Sequence, residues 1–251
     1  MKFLKRLLSK RNNGGFTLIE VVISVGLLGI LLVAMTIFVT PILQASNETQ
    51  TDIRAGILAE SLEAYIDRSV KVSKYVTVFS GVSAANLPTI YGDAALDRFD
   101  ATKVDPDYEV RCIGINWETD VQTNEQKYML KIWKVKEGVG TNHVRLDTSN
   151  KVFEDCFYDG LFPEISVEQL KLYEEDGVTV KQTAPALWLE VNVYNNAAMS
   201  NMAMAGDGYV QFLNIDTSTM GTNLKFVDKS GSAGGAEHLD TYIFYIARKS
   251  F

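Results

Sequence analysis

The sequence predicts an α+β protein. A long N-terminal α-helix, membrane-spanning over its first half, should pack by its second half on an antiparallel β-sheet head. Three observations carry this expectation. Residues 16–40 read FTLIEVVISVGLLGILLVAMTIFVT, one apolar stretch whose single charge is Glu20. After Pro41, apolar residues recur at three- and four-residue spacing. The rest of the chain is a series of short alternating runs bounded by turn residues.

The chain opens with MKFLKRLLSKRNNGG, residues 1–15, which carry Lys2, Lys5, Arg6, Lys10 and Arg11 and no acid. Residues 21–39 follow as an uninterrupted apolar run, long enough at a rise of about 1.5 Å per residue to cross a bilayer core. Basic residues before that run and none comparable after it place the leader in the cytoplasm and everything beyond Thr40 outside. An ordinary secretory signal would put its small-residue cleavage site after the apolar region. Here the small pair Gly14-Gly15 precedes it, so a cut after Gly15 would leave the apolar helix on the mature chain. A plain anchor would explain the length of the run but not the acid inside it.

A carboxylate in a membrane helix is costly and generally has a partner. If the chain is cut after Gly15, Phe16 gains a free α-amine, positive at neutral pH. Glu20 lies four residues along the same helix. It could pair with the amine of its own Phe16 or with that of a neighbouring subunit, and the second arrangement would set axial register. An acid near a helix end that merely reaches for water is the plain alternative.

Pro41 predicts a bend over residues 37–41. Beyond it, Ile53, Ile57, Leu58, Leu62, Tyr65, Ile66 and Val70 mark one face of an amphipathic helix, with Arg54, Glu60, Glu63, Asp67 and Arg68 mostly on the other. Four segments follow: a leader at 1–15, a hydrophobic helix at 16–43, its amphipathic continuation at 44–79 and a β-rich head at 80–251. Within the head, 80–88 and 92–106 read as loops. Strands are expected at 108–116, 127–135, 164–173, 178–182, 187–194, 209–214 and 242–247. LWLEVNVY alternates cleanly between two faces, and Asp176-Gly177 sits between two strand-like runs as a hairpin signal. Residues 195–208 read as a loop whose Met199, Met202 and Met204 either fold over the core or offer an adaptable contact surface. Residues 230–235 are a Gly/Ser-rich turn before the last strand.

Composition narrows the function classes. The chain has 251 residues and a net charge of −7, and its basic residues form no run outside the leader, so no nucleic-acid partner is expected. Two cysteines and two histidines are too few for most zinc or thiol-redox motifs, and His143 and His238 read as surface residues. If the head lies outside the membrane, Cys112 and Cys156 can form a disulfide, with two separate thiols as the alternative. Nucleophile-elbow, phosphate-loop, HExxH and CxxC patterns are missing from the sequence, so no enzyme activity and no cofactor are assigned. The Glu174-Glu175-Asp176 run reads as a solvated turn. Asp207, Asp216 and Asp228 could ligate calcium but lack EF-hand spacing, so no metal is assigned.

Lys10-Arg11-Asn12-Asn13-Gly14-Gly15 followed by Phe16-Thr17-Leu18-Ile19-Glu20-Val21 resembles the class III signal of type IV prepilins. The resemblance covers about residues 10–40. It implies that a prepilin peptidase cuts between Gly15 and Phe16, that Phe16 becomes the N-methylated first residue, and that Glu20 is the acid needed for assembly. It further implies a structural subunit, a minor pilin or pseudopilin of a type IV pilus or of a related secretion or competence filament. Such a subunit resides in the cytoplasmic membrane as a single-pass protein among lipids. It then joins other pilin or pseudopilin subunits through an inner-membrane assembly platform into a periplasmic or extracellular filament. The leader is longer than the shortest pilin leaders, and Pro41 sits later than the helix-breaking proline of many major pilins. The Cys112 and Cys156 pair is also central, unlike the C-terminal loop staple of many pilins. The alternative reading is a filament-displayed adhesin or ligand-binding module that uses the pilin segment as its anchor.

Overall fold

The computed structural model describes residues 17–100, 103–119, 126–173, 180–216, 218–230 and 240–249. Two compact units divide the chain, residues 1–50 and residues 51–251.

In the first unit the described residues after Thr17 belong to helix α1, Leu18–Val70, whose remaining residues lie in the second unit. The helix runs through Pro41. The Thr36 hydroxyl donates to the Leu32 carbonyl at 2.9 Å, and that of Thr40 donates to the Thr36 carbonyl at 2.9 Å. These back-bonds keep the hydroxyls satisfied inside an apolar segment. Every described residue of this unit is exposed.

The second unit packs the rest of α1 against two sheets. The larger has strand order β4-β3-β2-β9-β1-β8, with β1 Val76–Val82, β2 Tyr108–Thr119, β3 Gln126–Glu137, β4 Val144–Lys151, β8 Leu224–Asp228 and β9 Asp240–Arg248. Its pairings are antiparallel except for β1 with β8, which is parallel. The smaller sheet is the antiparallel set β5-β6-β7, with β5 Phe162–Tyr173, β6 Val180–Tyr194 and β7 Met202–Gln211. The fold is pilin-like α+β, a long N-terminal helix packed on β-sheets that are antiparallel apart from that one edge.

The core has two compartments. In the first, Ala55, Leu58, Ala59, Leu62, Ile66 and Val70 of α1 meet Val76, Ile113, Leu130 and Ile243 of the large sheet. The same cluster takes in Val167, Leu189 and Val191 of the small sheet. The second covers the opposite face of the large sheet, where Cys112, Trp133, Tyr242 and Phe244 lie under Leu87, Leu96 and Phe99. Those covering residues come from two 3-10 turns, Ala84–Ile90 and Ala94–Phe99. Side Ser83 and Asp93 cap these turns by accepting from the backbone N–H groups of Asn86 and Ala95.

Several boundaries differ from the sequence reading. The helix ends at Val70 rather than near residue 79, because Val76–Val82 pairs as a strand between β9 and β8. Residues 144–151 and 224–228 form strands that the sequence reading did not anticipate. The expected strands at 178–182 and 187–194 merge into β6. Pro185 sits where the β5–β6 register shifts, which is where a central strand tolerates proline. The Asp176-Gly177 turn lies outside the described residues, but the strands flanking it pair antiparallel.

Residues 202–208, expected to be loop, open strand β7. Their small side chains serve close packing on the helix. A Cβ on Gly206 would stand 3.3 Å from the Ala59 Cβ, and one on Gly208 would overlap the Glu63 carboxylate. The Met204 methyl group approaches Gly56 at 3.8 Å from where a Cβ would stand. This contact also rotates the buried helix face. Ala55 and Ala59 are inside, while Ile53 and Ile57, expected on the core side, are 58% and 52% exposed.

Candidate processing and assembly site

Thr17 is the first described residue, and α1 begins at Leu18. The Thr17 backbone N–H donates to Glu20 Oε2 at 2.9 Å, and the Thr17 hydroxyl donates to the same oxygen at 3.0 Å. In return the Glu20 N–H donates to Thr17 Oγ1 at 3.3 Å. Thr-Leu-Ile-Glu is therefore a capping box, in which the first and fourth residues satisfy each other's backbone donors at a helix start. A carboxylate here also opposes the positive end of the helix dipole. The pattern was legible as Thr followed three residues later by Glu before an apolar run, and the sequence reading passed over it.

The cap fixes where the acid points. Its carboxylate lies over the N-terminal end of α1, against the residue that directly follows Phe16. Gly14, Gly15 and Phe16 themselves, with the leader, lie outside the described residues. Downstream of Glu20 the helix carries no charged residue until Glu48 and no cation until Arg54, and its apolar residues are open, with Leu18 84% and Phe38 70% exposed. Length and composition make α1 able to cross a membrane near the N-terminus.

In the second unit α1 is held by Arg54, which the sequence reading had placed opposite the apolar face, and by Tyr65, which it had placed on that face. Arg54 Nη2 donates to the carbonyl oxygens of Asp159, at 2.9 Å, and Cys156, at 3.4 Å. It thereby meets free carbonyls at the end of the short helix α2, Asp155–Tyr158. Tyr65 meets the Phe153 ring edge-on, with centroids 6.1 Å apart. The Tyr158 hydroxyl accepts from the Leu130 N–H at 3.3 Å, linking α2 to β3.

The expected Cys112–Cys156 disulfide is not formed; both thiols are free. Cys112 is fully buried in the second core compartment, opposite Trp133 on β3. Cys156 is exposed on α2, whose carbonyls meet α1 on the other face of the large sheet. A bond would have to pass through that sheet. Among the described residues Asp207, Asp216 and Asp228 do not come together as a metal-binding group. Asp216 accepts from Ser218 and Thr219, and Asp228 accepts from the Ser230 N–H. Those bonds hold both carboxyls below the usual carboxylate range. Asp207 lies on β7. His143 stands 3.5 Å from Asp97 at the surface, and His238 is outside the described residues.

Residues 10–38 match the family described as the prokaryotic N-terminal methylation motif. No curated protein and no solved structure matches the chain. By family, that motif implies processing by a prepilin peptidase and assembly with pilin subunits, and its carriers are typically structural rather than enzymatic. This is a type IV pilin- or pseudopilin-like chain, with a class III prepilin motif joined to a pilin-like α+β fold.

Proposed function

We propose that the chain is a minor pilin or pseudopilin that enters a filament through α1 after cleavage between Gly15 and Phe16 and methylation of Phe16. The observation that carries this reading is the bare apolar helix. Every residue from 17 to 50 is exposed, although most of residues 18–43 are large and apolar. Such a surface has to be covered by lipid or by other helices of its kind. In the membrane the leader lies in the cytoplasm and the head outside. An inner-membrane platform then lifts the subunit, and neighbouring helices replace lipid around it. In the second unit Ile53 and Ile57 of α1 are also exposed. A head of this size suits an initiating, capping or decorating subunit.

Glu20 has two tasks in this account. It caps its own helix through Thr17, and its charge meets an N-terminal amine. Glu20→Gln separates them, because glutamine also completes a capping box but carries no charge. The variant is expected to be cleaved normally and to be missing from sheared filaments, as read by immunoblot of membrane and filament fractions. Normal incorporation of Glu20→Gln would refute the charge-pairing role.

A further inference from the structure

A cleft of about 470 Å³ opens in the head where the turn after α1, the end of the second 3-10 turn and the start of β2 come together. Among the described residues it is lined by Lys74, Arg98 and Lys103 against one carboxylate, Asp105. In a chain of net charge −7 that local balance is inverted, and cations grouped in a concavity focus positive potential there.

Two of the cations rest on aromatic faces. Lys74 Nζ stands 5.7 Å from the centroid of the Tyr108 ring, and the Arg98 guanidinium carbon stands 5.1 Å from that of Tyr75. Both rings belong to the cleft lining and pack against the second core compartment. Arg98 also donates through Nη1 to Asn223 Oδ1 at 3.0 Å, which fixes its fork while leaving other N–H groups to donate. Lys103 is paired with Asp97 and adds less free charge. Asp105 accepts from the Asp107 N–H, which holds its carboxylate on its own loop.

We propose that this cleft binds an acidic saccharide, a pyranose unit bearing a carboxylate, sulfate or phosphate group. A bare anion would fill a small part of it, whereas the volume falls in the usual range for organic ligands. The planar Arg98 fork matches the paired oxygens of such groups, and the tyrosines wall the space beside it. The inference stands on the head alone and holds whether or not the chain joins a filament. If it does join one, the cleft gives the ligand-binding alternative a defined site.

The test is calorimetric titration of the full-length chain in nonionic detergent at low salt. The probes are a hyaluronan tetrasaccharide, chitotetraose as a neutral counterpart, and sodium sulfate. The acidic tetrasaccharide is expected to bind, with both other probes at least about tenfold weaker. Lys74→Gln combined with Arg98→Gln should weaken it by about tenfold or more, as expected for loss of hydrogen bonds from charged groups. Tyr108→Leu, which leaves both cations in place, should weaken it as well. An unchanged denaturation midpoint shows that each variant is folded. Wild-type affinity in the double variant, or equal binding of chitotetraose, would overturn the proposal. Equal binding of sulfate would reduce the cleft to a simple anion site and overturn it too.

Discussion

Replacing Leu62 by Ala tests whether the second half of α1 is the spine of the head. Leu62 is fully buried, within the cluster that joins helix, large sheet and small sheet. Each buried CH₂ group contributes about 0.8 kcal/mol, so the three carbons lost account for about 2.4 kcal/mol before any cavity is counted. Residues of both sheets share its cluster, which limits collapse around the site. The total loss should therefore fall within the span of about 2.7–5.0 kcal/mol measured for buried Leu→Ala changes. Ile57, one turn and a little more upstream, is the control. It is 52% exposed on the same helix, so Ile57→Ala should cost only about half the burial term, about 1 kcal/mol. The assay is guanidinium denaturation of the full-length chain in nonionic detergent, followed by tryptophan fluorescence, where buried Trp133 reports on the head. If both variants lose equal stability, or Ile57→Ala loses more, the assignment of the buried face is wrong.

Two further outcomes follow from titratable groups. Burial, reinforced by Glu164, raises the Asp240 carboxyl to about 7, with Tyr128 and Tyr242 also facing it. The folded head therefore holds this proton more tightly than the unfolded chain. Stability from this group is complete below the ordinary carboxylate pKa and is lost as pH rises through about 7. Denaturation midpoints should fall across that window in the wild type and flatten in Asp240→Asn; identical slopes would contradict the assignment. The two cysteines should differ in native labelling. Burial pushes the Cys112 thiol up, while Cys156 is exposed, so a thiol reagent should modify one site in the native protein and two after unfolding. Labelling of neither site without reductant would mean that the pair is bonded.

The long N-terminal helix was legible because its signal is local. An apolar run, a basic leader and a lone acid need no tertiary context, and strands such as 187–194 announce themselves by alternation. What escaped depended on distant partners. Strand β1 was read as helix because VTVF could continue an apolar face, and only pairing with β8 and β9 makes it extended. Residues 144–151 are mostly exposed edge-strand positions, so no buried face marked them in the sequence. Ile53 and Ile57 were drawn inward by hydrophobicity, yet the buried side runs through Ala55 and Ala59, and Ala59 lies where Gly206 of β7 comes close. The capping role of Glu20 was a local pattern that could have been read. The separation of Cys112 from Cys156 required knowing which face of the large sheet each occupies.

The most direct test of the central claim is the intact mass and N-terminal sequence of the protein recovered from its native membrane fraction. The account predicts a chain that begins at Phe16 and is heavier by one methyl group. A chain still beginning at Met1, in cells that demonstrably process another prepilin, would contradict it and leave α1 as an anchor.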